Sequence, residues 1–97
     1  MITHTVVRYT VKPGLEEKNA ELVRSVYRAL AESRPPDFQY ATYQLEGGRT
    51  FVHVATHDSD SEFPLGELAA FREFREGLDE RCEQGPVVSP AEKLGSY

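Results

Sequence analysis

The segment LEGGRTFVHVATH, residues 45–57, decides the fold because it forms the turn and second strand of a predicted β-hairpin. Phe, Val and Thr dominate its second half, and the preceding segment FQYATYQLE, residues 38–46, has the same β-forming character. Gly47 and Gly48 lie between the two runs and suit a two-residue hairpin turn. We therefore predict two antiparallel strands joined at the glycine pair.

This hairpin also decides how the two histidines of TFVHVATH are interpreted. On a helix, His53 and His57 would lie one turn apart and could coordinate the same metal ion. On a strand, a rise of about 3.3 Å per residue separates them by roughly 13 Å. Two imidazoles at that distance do not share one ion. We expect no metal site here.

Two helical segments and two further strands complete the pattern. THTVVRYTV (3–11) predicts a strand, and the apolar spacing from Leu15 to about Ser33 predicts a helix that the prolines of RPP end. Asn19 lies on the apolar side of this helix, where we interpret it as a residue at the edge of the stripe. A second helix is predicted in PLGELAAFREFREGLDERC (64–82), and a final strand in GPVVSPAEKLGSY (85–97).

The element order is therefore β-α-β-β-α-β, the ferredoxin-like plan of an α+β protein. Right-handed crossovers put the first and third strands together in the middle of a four-stranded antiparallel sheet. The second and fourth strands form its edges, and both helices cover one face. The 97 residues fit a single domain.

Composition narrows the classes of partner. A net charge of −5 argues against nucleic acid, and no apolar run approaches the roughly 20 residues of a membrane span. MITHTVVRYT lacks the pattern of a signal peptide. The single cysteine, Cys82, lies on the apolar stripe of the second helix and is expected to be a small buried hydrophobe. These features fit a cytoplasmic protein.

The sheet face without helices needs a cover. Alternate residues of a strand lie on opposite faces, and in each central strand we expect the more uniformly apolar alternate residues to meet the helices. These residues are Thr5, Val7, Tyr9 and Val11 in the first strand and Val52, Val54 and Thr56 in the third. The mixed sets then face outward, with Val6, Phe51 and Ala55 beside His4, Arg8 and His53. Such a surface suits a lined cavity, which a second copy of the sheet would close.

VVRYTVKPG with its following amphipathic helix, the LEGGRTFVHVATH hairpin and the terminal LGSY resemble the dimeric α/β-barrel superfamily. The nearest resemblance is to its antibiotic-biosynthesis monooxygenase-like branch. The resemblance implies a homodimer whose two sheets form a barrel, with a pocket between sheet and helices or within the barrel. The early histidine of MITHTVV also resembles the stress-responsive branch, which includes polyketide cyclases.

Members of the monooxygenase branch oxidise electron-rich aromatic substrates with O₂ and no cofactor, so the resemblance implies a small aromatic or polyketide-like ligand. Such chemistry needs a group that takes a proton and donors that hold the resulting anion. If the first and third strands pair in the register in which the numbers of opposite residues add up to 61, Arg8 lies opposite His53 and His4 lies opposite His57. We therefore predict Arg8 and His53 as catalytic residues. Tyr40, Phe51, His4 and His57 are the predicted ligand-binding residues.

Other functions remain open from the sequence. A non-catalytic barrel that binds a small molecule or only dimerises fits the same pattern, so the sequence leaves the status of the protein as an enzyme undecided. A polyketide cyclase-like function lacks the histidine expected in the second helical segment. Haem degradation lacks its tryptophan, since the chain contains none. We expect no metal and no haem.

Overall fold

The computed structural model describes all 97 residues and contains one four-stranded antiparallel sheet with helices packed on one face. The strands lie in the order β2-β3-β1-β4, which confirms the predicted ferredoxin-like topology with β1 and β3 in the centre. Their bounds are β1 Ile2–Val11, β2 Phe38–Gln44, β3 Thr50–Asp58 and β4 Cys82–Ala91.

The first helix, α1, spans Glu16–Ser33 and ends where the sequence predicts. Its C-cap residue, Arg34, adopts a left-handed conformation with φ of 46°, and its N–H donates to the Leu30 carbonyl. Pro35 and Pro36 follow and cannot continue the helix. The inward face of α1 buries Asn19, Ala20, Val23 and Val26.

The second helical segment is broken, contrary to the single helix predicted for 64–82. A 3₁₀ turn at Pro64–Glu67 precedes α2 (Ala69–Glu76), and a short α3 (Leu78–Arg81) follows Gly77. A glycine favours such an interruption because it is a poor helix former, and at Gly77 a Cβ would lie 3.0 Å from Arg81 Nη1. Cys82 is buried as expected, but it begins β4 instead of ending the helix.

The hairpin and the last strand also differ in detail from their predictions. The Leu45 N–H donates to the Thr50 carbonyl at 2.8 Å, so a four-residue loop, and not a two-residue turn, joins β2 to β3. Gly47 and Gly48 lie within it with φ of 94° and 84°, which L-residues rarely adopt. The last strand, β4, begins three residues earlier than predicted and ends at Ala91, so LGSY lies outside the sheet.

The pairing of β1 with β3 is displaced by one residue from the predicted register. Partner numbers sum to 60, so Val7 lies opposite His53 and Arg8 lies opposite Val52. A slip of one residue moves every side chain of a strand to the other face. The predicted faces are correct for β1 and wrong for β3. The side chains of β3 beneath the helices are Phe51, His53 and Ala55, and those on the opposite face are Val52, Val54 and Thr56.

The hydrophobic core therefore lies between the sheet and the three helices. Its largest fully buried side chains include Tyr9 and Phe51, whose rings stack with centroids 5.6 Å apart. Leu65, from the 3₁₀ turn, fills the same core. The 18-residue α1 and the shorter helices include no segment both long and apolar enough to cross a membrane.

Phe51 is a core residue, so its truncation should weaken the fold. Phe51→Ala is expected to lower the free energy of unfolding by about 3–5 kcal/mol, because it removes a ring that is only 2% exposed and leaves a cavity. Leu94→Ala is the control, since Leu94 is 93% exposed and should change stability by less than about 0.5 kcal/mol. Urea titration followed by circular dichroism measures both. Equal effects would contradict the placement of Phe51.

Candidate functional site

A cavity of about 160 Å³ lies between the sheet and the two short helices. Aromatic and aliphatic side chains form most of its wall, while two tyrosines and a histidine supply polar atoms. Arg75 and Asp79, both exposed, lie where the cavity meets solvent. The remaining lining residues are Val7, Tyr9, Tyr40, His53, Phe71, Phe74, Leu78, Pro86 and Val88.

His53 is the polar centre of this cavity, although its side chain is only 3% exposed. It lies in the middle of β3, beside β2 on one flank and β1 on the other. Tyr9 Oη lies 2.8 Å from Nε2, Tyr40 Oη lies 2.6 Å from Nδ1, and Thr42 Oγ1 lies 3.0 Å from Nδ1. Hydroxyl groups of the neighbouring strands therefore satisfy both ring nitrogens.

The hydrogen-bond network continues from Tyr9 into the helices. Asn19 Nδ2 of α1 donates to Tyr9 Oη at 2.9 Å, and Arg81 Nε of α3 donates to Asn19 Oδ1 at 3.1 Å. Arg81 Nη2 also donates to the Phe74 carbonyl at 2.8 Å. Arg81 is only 6% exposed and is not paired with a carboxylate. Two neutral carbonyl oxygens accept its hydrogen bonds, and the Phe74 ring lies 5.5 Å from its Cζ.

Burial sets the protonation states in the cavity. It lowers the pKa of His53 to about 4, because the charged imidazolium loses its hydration, so the ring is neutral near pH 7. Burial also raises the pKa of Tyr9 and of Tyr40, which keeps both phenols protonated. The cavity thus offers neutral hydrogen-bonding groups. A carbonyl or phenolate oxygen of a ligand is the kind of atom they could hold.

The structure brings together only part of the predicted site. His53 and Tyr40 both line the cavity. Arg8 does not, because the register places it on the opposite face of the sheet, where it is exposed. The predicted Arg8–His53 pair is therefore wrong in its geometry.

The other predicted ligand-binding residues also lie elsewhere. Phe51 is enclosed in the core beside Tyr9 and does not line the cavity. His4 is on the outer face, where its Nδ1 lies 2.9 Å from Thr56 Oγ1. His57 lies opposite Thr3 near the end of β3 and does not face His4.

Sequence reasoning misses three members of the network. It places Tyr9 in the helix-facing set but gives its hydroxyl no function. It interprets Asn19 as a residue at the edge of the stripe, whereas the side chain is completely buried. A polar side chain on an apolar stripe requires a buried partner, and this is the signal that points to Asn19. Arg81 offers no comparable signal, since most helical arginines are solvated.

Metal-binding side chains are dispersed over the molecule. The structure contains no group of three or more histidine, cysteine, aspartate or glutamate residues arranged to hold a metal ion.

The buried His53 should make stability depend on pH. The unfolded imidazole titrates near pH 6.5 and the folded one near 4, so between these values the unfolded state binds a proton that the folded state does not. The free energy of unfolding is expected to fall by up to about 3 kcal/mol as the pH decreases through this window. Urea titrations at several pH values measure the slope.

His53→Phe should remove that part of the slope, whereas the control His57→Gln should retain it. A slope unaffected by His53→Phe would mean that His53 does not stay neutral in the folded protein.

Neither a protein-family model nor a curated protein matches the sequence. Solved structures do match over nearly the whole chain. One, a "putative antibiotic biosynthesis monooxygenase" from Nitrosomonas europaea, is 17% identical with a TM-score of 0.78, covering 96% of this chain and 90% of that one.

A protein of the same description from Bacteriodes thetaiotaomicron is 9% identical with a TM-score of 0.80, covering 96% of this chain and 90% of that one. A conserved protein from Methanosarcina mazei is 17% identical with a TM-score of 0.75, covering 96% and 93%. At such identities the likeness is one of fold. The chain has the ferredoxin-like fold of the antibiotic-biosynthesis monooxygenase-like structures, as the sequence predicted.

Proposed function

We propose that the protein binds a small oxygen-bearing aromatic molecule in the His53 cavity and oxidises it with O₂ without a cofactor. The observation that carries the proposal is the combination of an aromatic wall with three polar groups, Tyr9, Tyr40 and His53, in one cavity. Solved structures of the same fold carry the description "putative antibiotic biosynthesis monooxygenase", and this description supports the reaction class.

The size of the cavity restricts the ligand. An apolar protein cavity of about 150 Å³ accommodates benzene, so 160 Å³ corresponds to one aromatic ring. A larger polyketide-like molecule would extend past Arg75 and Asp79 into solvent. Phe71 and Phe74 would contact the ring of the ligand, and aromatic pairs of this kind favour offset or edge-to-face arrangements.

The polar groups would act on the oxygen of the ligand. The phenol of the ligand would lose its proton to water at the mouth of the cavity, and Tyr40 would donate a hydrogen bond to the resulting phenolate oxygen. Molecular oxygen then forms a bond to the ring carbon para to that oxygen, and protonation gives a hydroperoxide. The hydrogen on that carbon and the distal OH group of the hydroperoxide then leave together as water, which yields a quinone. One phenol and one O₂ therefore give one quinone and one H₂O.

A second function, binding without oxidation, is favoured by the state of His53. Its pKa of about 4 makes it a weak base at neutral pH, and an efficient general base titrates near the working pH. Both ring nitrogens are also already hydrogen-bonded to tyrosines. On this alternative the same cavity stores, transports or senses the ligand.

We also propose that the protein forms a homodimer through the sheet face that the helices leave uncovered. This outer face carries Val6, Val52 and Val54 beside Arg8, and the exposed Tyr43 and Val87 extend it towards the two edges. Exposed apolar side chains on a sheet face that no helix covers are typical of an interface. A second copy that packs sheet against sheet would cover it.

Tyr40→Phe tests the site, with phenol, catechol and resorcinol as probes, each of which has a hydrogen on a ring carbon para to a hydroxyl group. It removes the hydroxyl that would stabilise the phenolate, so we expect protein-dependent oxygen uptake to fall at least about tenfold. Tyr43→Phe is the matched control, because Tyr43 lies on the same strand but on the outer face.

An oxygen electrode and titration calorimetry separate oxidation from binding. Binding of a probe without oxygen uptake would overturn the oxidation and support the binding function. A wild-type protein that binds none of the three would contradict both.

Val54→Glu tests the dimer, since it places a charge in the centre of the outer face. We expect light scattering at micromolar concentration to give the mass of a dimer for the wild type and of a monomer for Val54→Glu. The control Lys18→Glu, on the exposed side of α1, should remain dimeric. A monomeric wild type would contradict the proposal.

A further inference from the structure

We propose that Asn19 and Arg81 are positioning residues that fix His53 in the tautomer protonated on Nδ1. In this tautomer Tyr40 keeps its hydroxyl proton available to the cavity, which then selects a ligand oxygen that accepts a hydrogen bond. The preference for such a ligand rests on the proposed function, whereas the tautomer of His53 does not.

The direction of the network is set at Arg81. A guanidinium group only donates hydrogen bonds, so the Asn19 atom that it contacts at 3.1 Å must be the carbonyl oxygen Oδ1. The amide nitrogen of Asn19 then faces Tyr9 Oη, at 2.9 Å. This contact with Arg81 removes the usual ambiguity between the oxygen and nitrogen of an amide side chain.

Tyr9 transmits this direction to the imidazole. The Tyr9 oxygen already accepts a hydrogen bond from the amide N–H of Asn19. The amide nitrogen cannot accept a hydrogen bond in return, so the phenolic proton of Tyr9 does not point towards Asn19. The remaining partner of Tyr9 is His53 Nε2, at 2.8 Å, so the hydroxyl donates there. His53 Nε2 is therefore unprotonated, and a neutral imidazole must then carry its proton on Nδ1.

On the Nδ1 side of the His53 ring, the hydrogen bond to Tyr40 has the same donor-to-acceptor direction. The Nδ1–H group donates to Tyr40 Oη at 2.6 Å, with Thr42 Oγ1 at 3.0 Å as a longer alternative. Tyr40 accepts this hydrogen bond, so its own proton is not used by His53. Because Tyr40 lines the cavity, this proton is available to a ligand oxygen.

Every donor in this series points from the buried cation towards the cavity, through Asn19, Tyr9, His53 and Tyr40. Hydrogen bonds aligned in one direction polarise one another, and more strongly away from water. The Arg81 charge thus favours the same direction. It strengthens Tyr40 as a donor without contacting a ligand.

Asn19→Asp should reverse the network. The introduced carboxylate would accept from both Arg81 and Tyr9, so Tyr9 would in turn accept a hydrogen bond from His53 Nε2–H. Nδ1 would then be bare, and Tyr40 would donate to it instead of to a ligand. The ¹⁵N chemical shifts of the imidazole distinguish the two tautomers, because protonated and bare ring nitrogens resonate in separate ranges.

We expect ¹⁵N-labelled wild-type protein, measured well above the pKa of His53, to show a protonated Nδ1 and a bare Nε2. Asn19→Asp should exchange the two assignments. Thr42→Val is the control, since it removes the weaker Nδ1 partner and should leave the wild-type tautomer. A bare Nδ1 in the wild type would overturn the tautomer, and an unchanged tautomer in folded Asn19→Asp would overturn the positioning role. The wild-type measurement decides the tautomer even if Asn19→Asp does not fold.

Two probes of equal shape test the ligand preference. Acetophenone carries a carbonyl oxygen where α-methylstyrene carries a methylene group. The wild type should bind acetophenone about three- to tenfold more tightly, the effect of one added hydrogen bond, and Asn19→Asp should bind both equally. Equal binding by the wild type would overturn the preference. If the wild type binds neither, the proposed ligand cavity is wrong, while the ¹⁵N result still decides the tautomer.

Discussion

The alignment of β1 on β3 is the constraint on which the rest of the structure depends. With Val7 opposite His53, the histidine lies under the helices, between a tyrosine from each neighbouring strand. A slip of one residue would move His53 to the outer face and Val54 into the core. The core, the cavity and the hydrogen-bond network all require this one register.

The element order, the end of α1 and the arrangement of the strands could be predicted from the sequence because each follows from a local signal. The apolar spacing of α1, the two prolines after it and the glycines of the hairpin each indicate one structure. The single helix predicted for 64–82 is wrong at Gly77, where it breaks, and at Cys82, which begins β4. Tertiary packing decides where a helix with an internal glycine breaks.

The face of β3 could not be predicted in the same way. Phe51 and Ala55 on one side and Val52 and Val54 on the other are both apolar, so alternation does not distinguish them. Placing His53 in the core looks unfavourable from the sequence, since burial of an unpaired imidazole costs free energy. Hydroxyl groups 44 and 13 residues away along the chain offset this cost, and their proximity exists only in the folded protein. The error in the predicted site follows directly from this one choice.

The network also explains how a cation without a carboxylate partner is retained in the interior. An isolated guanidinium in an apolar core would be strongly unfavourable, and here the oxygens of Asn19 and of the Phe74 backbone solvate it. A carboxylate beside Arg81 would form a closed ion pair and would accept the Tyr9 proton itself. The Asn19 amide accepts a hydrogen bond from the cation and donates one to Tyr9. It therefore extends the polarising effect of the Arg81 charge from one side of the core to the other. The choice of asparagine at position 19 thus links the charge at the end of α3 to the hydroxyl group of Tyr40 at the cavity.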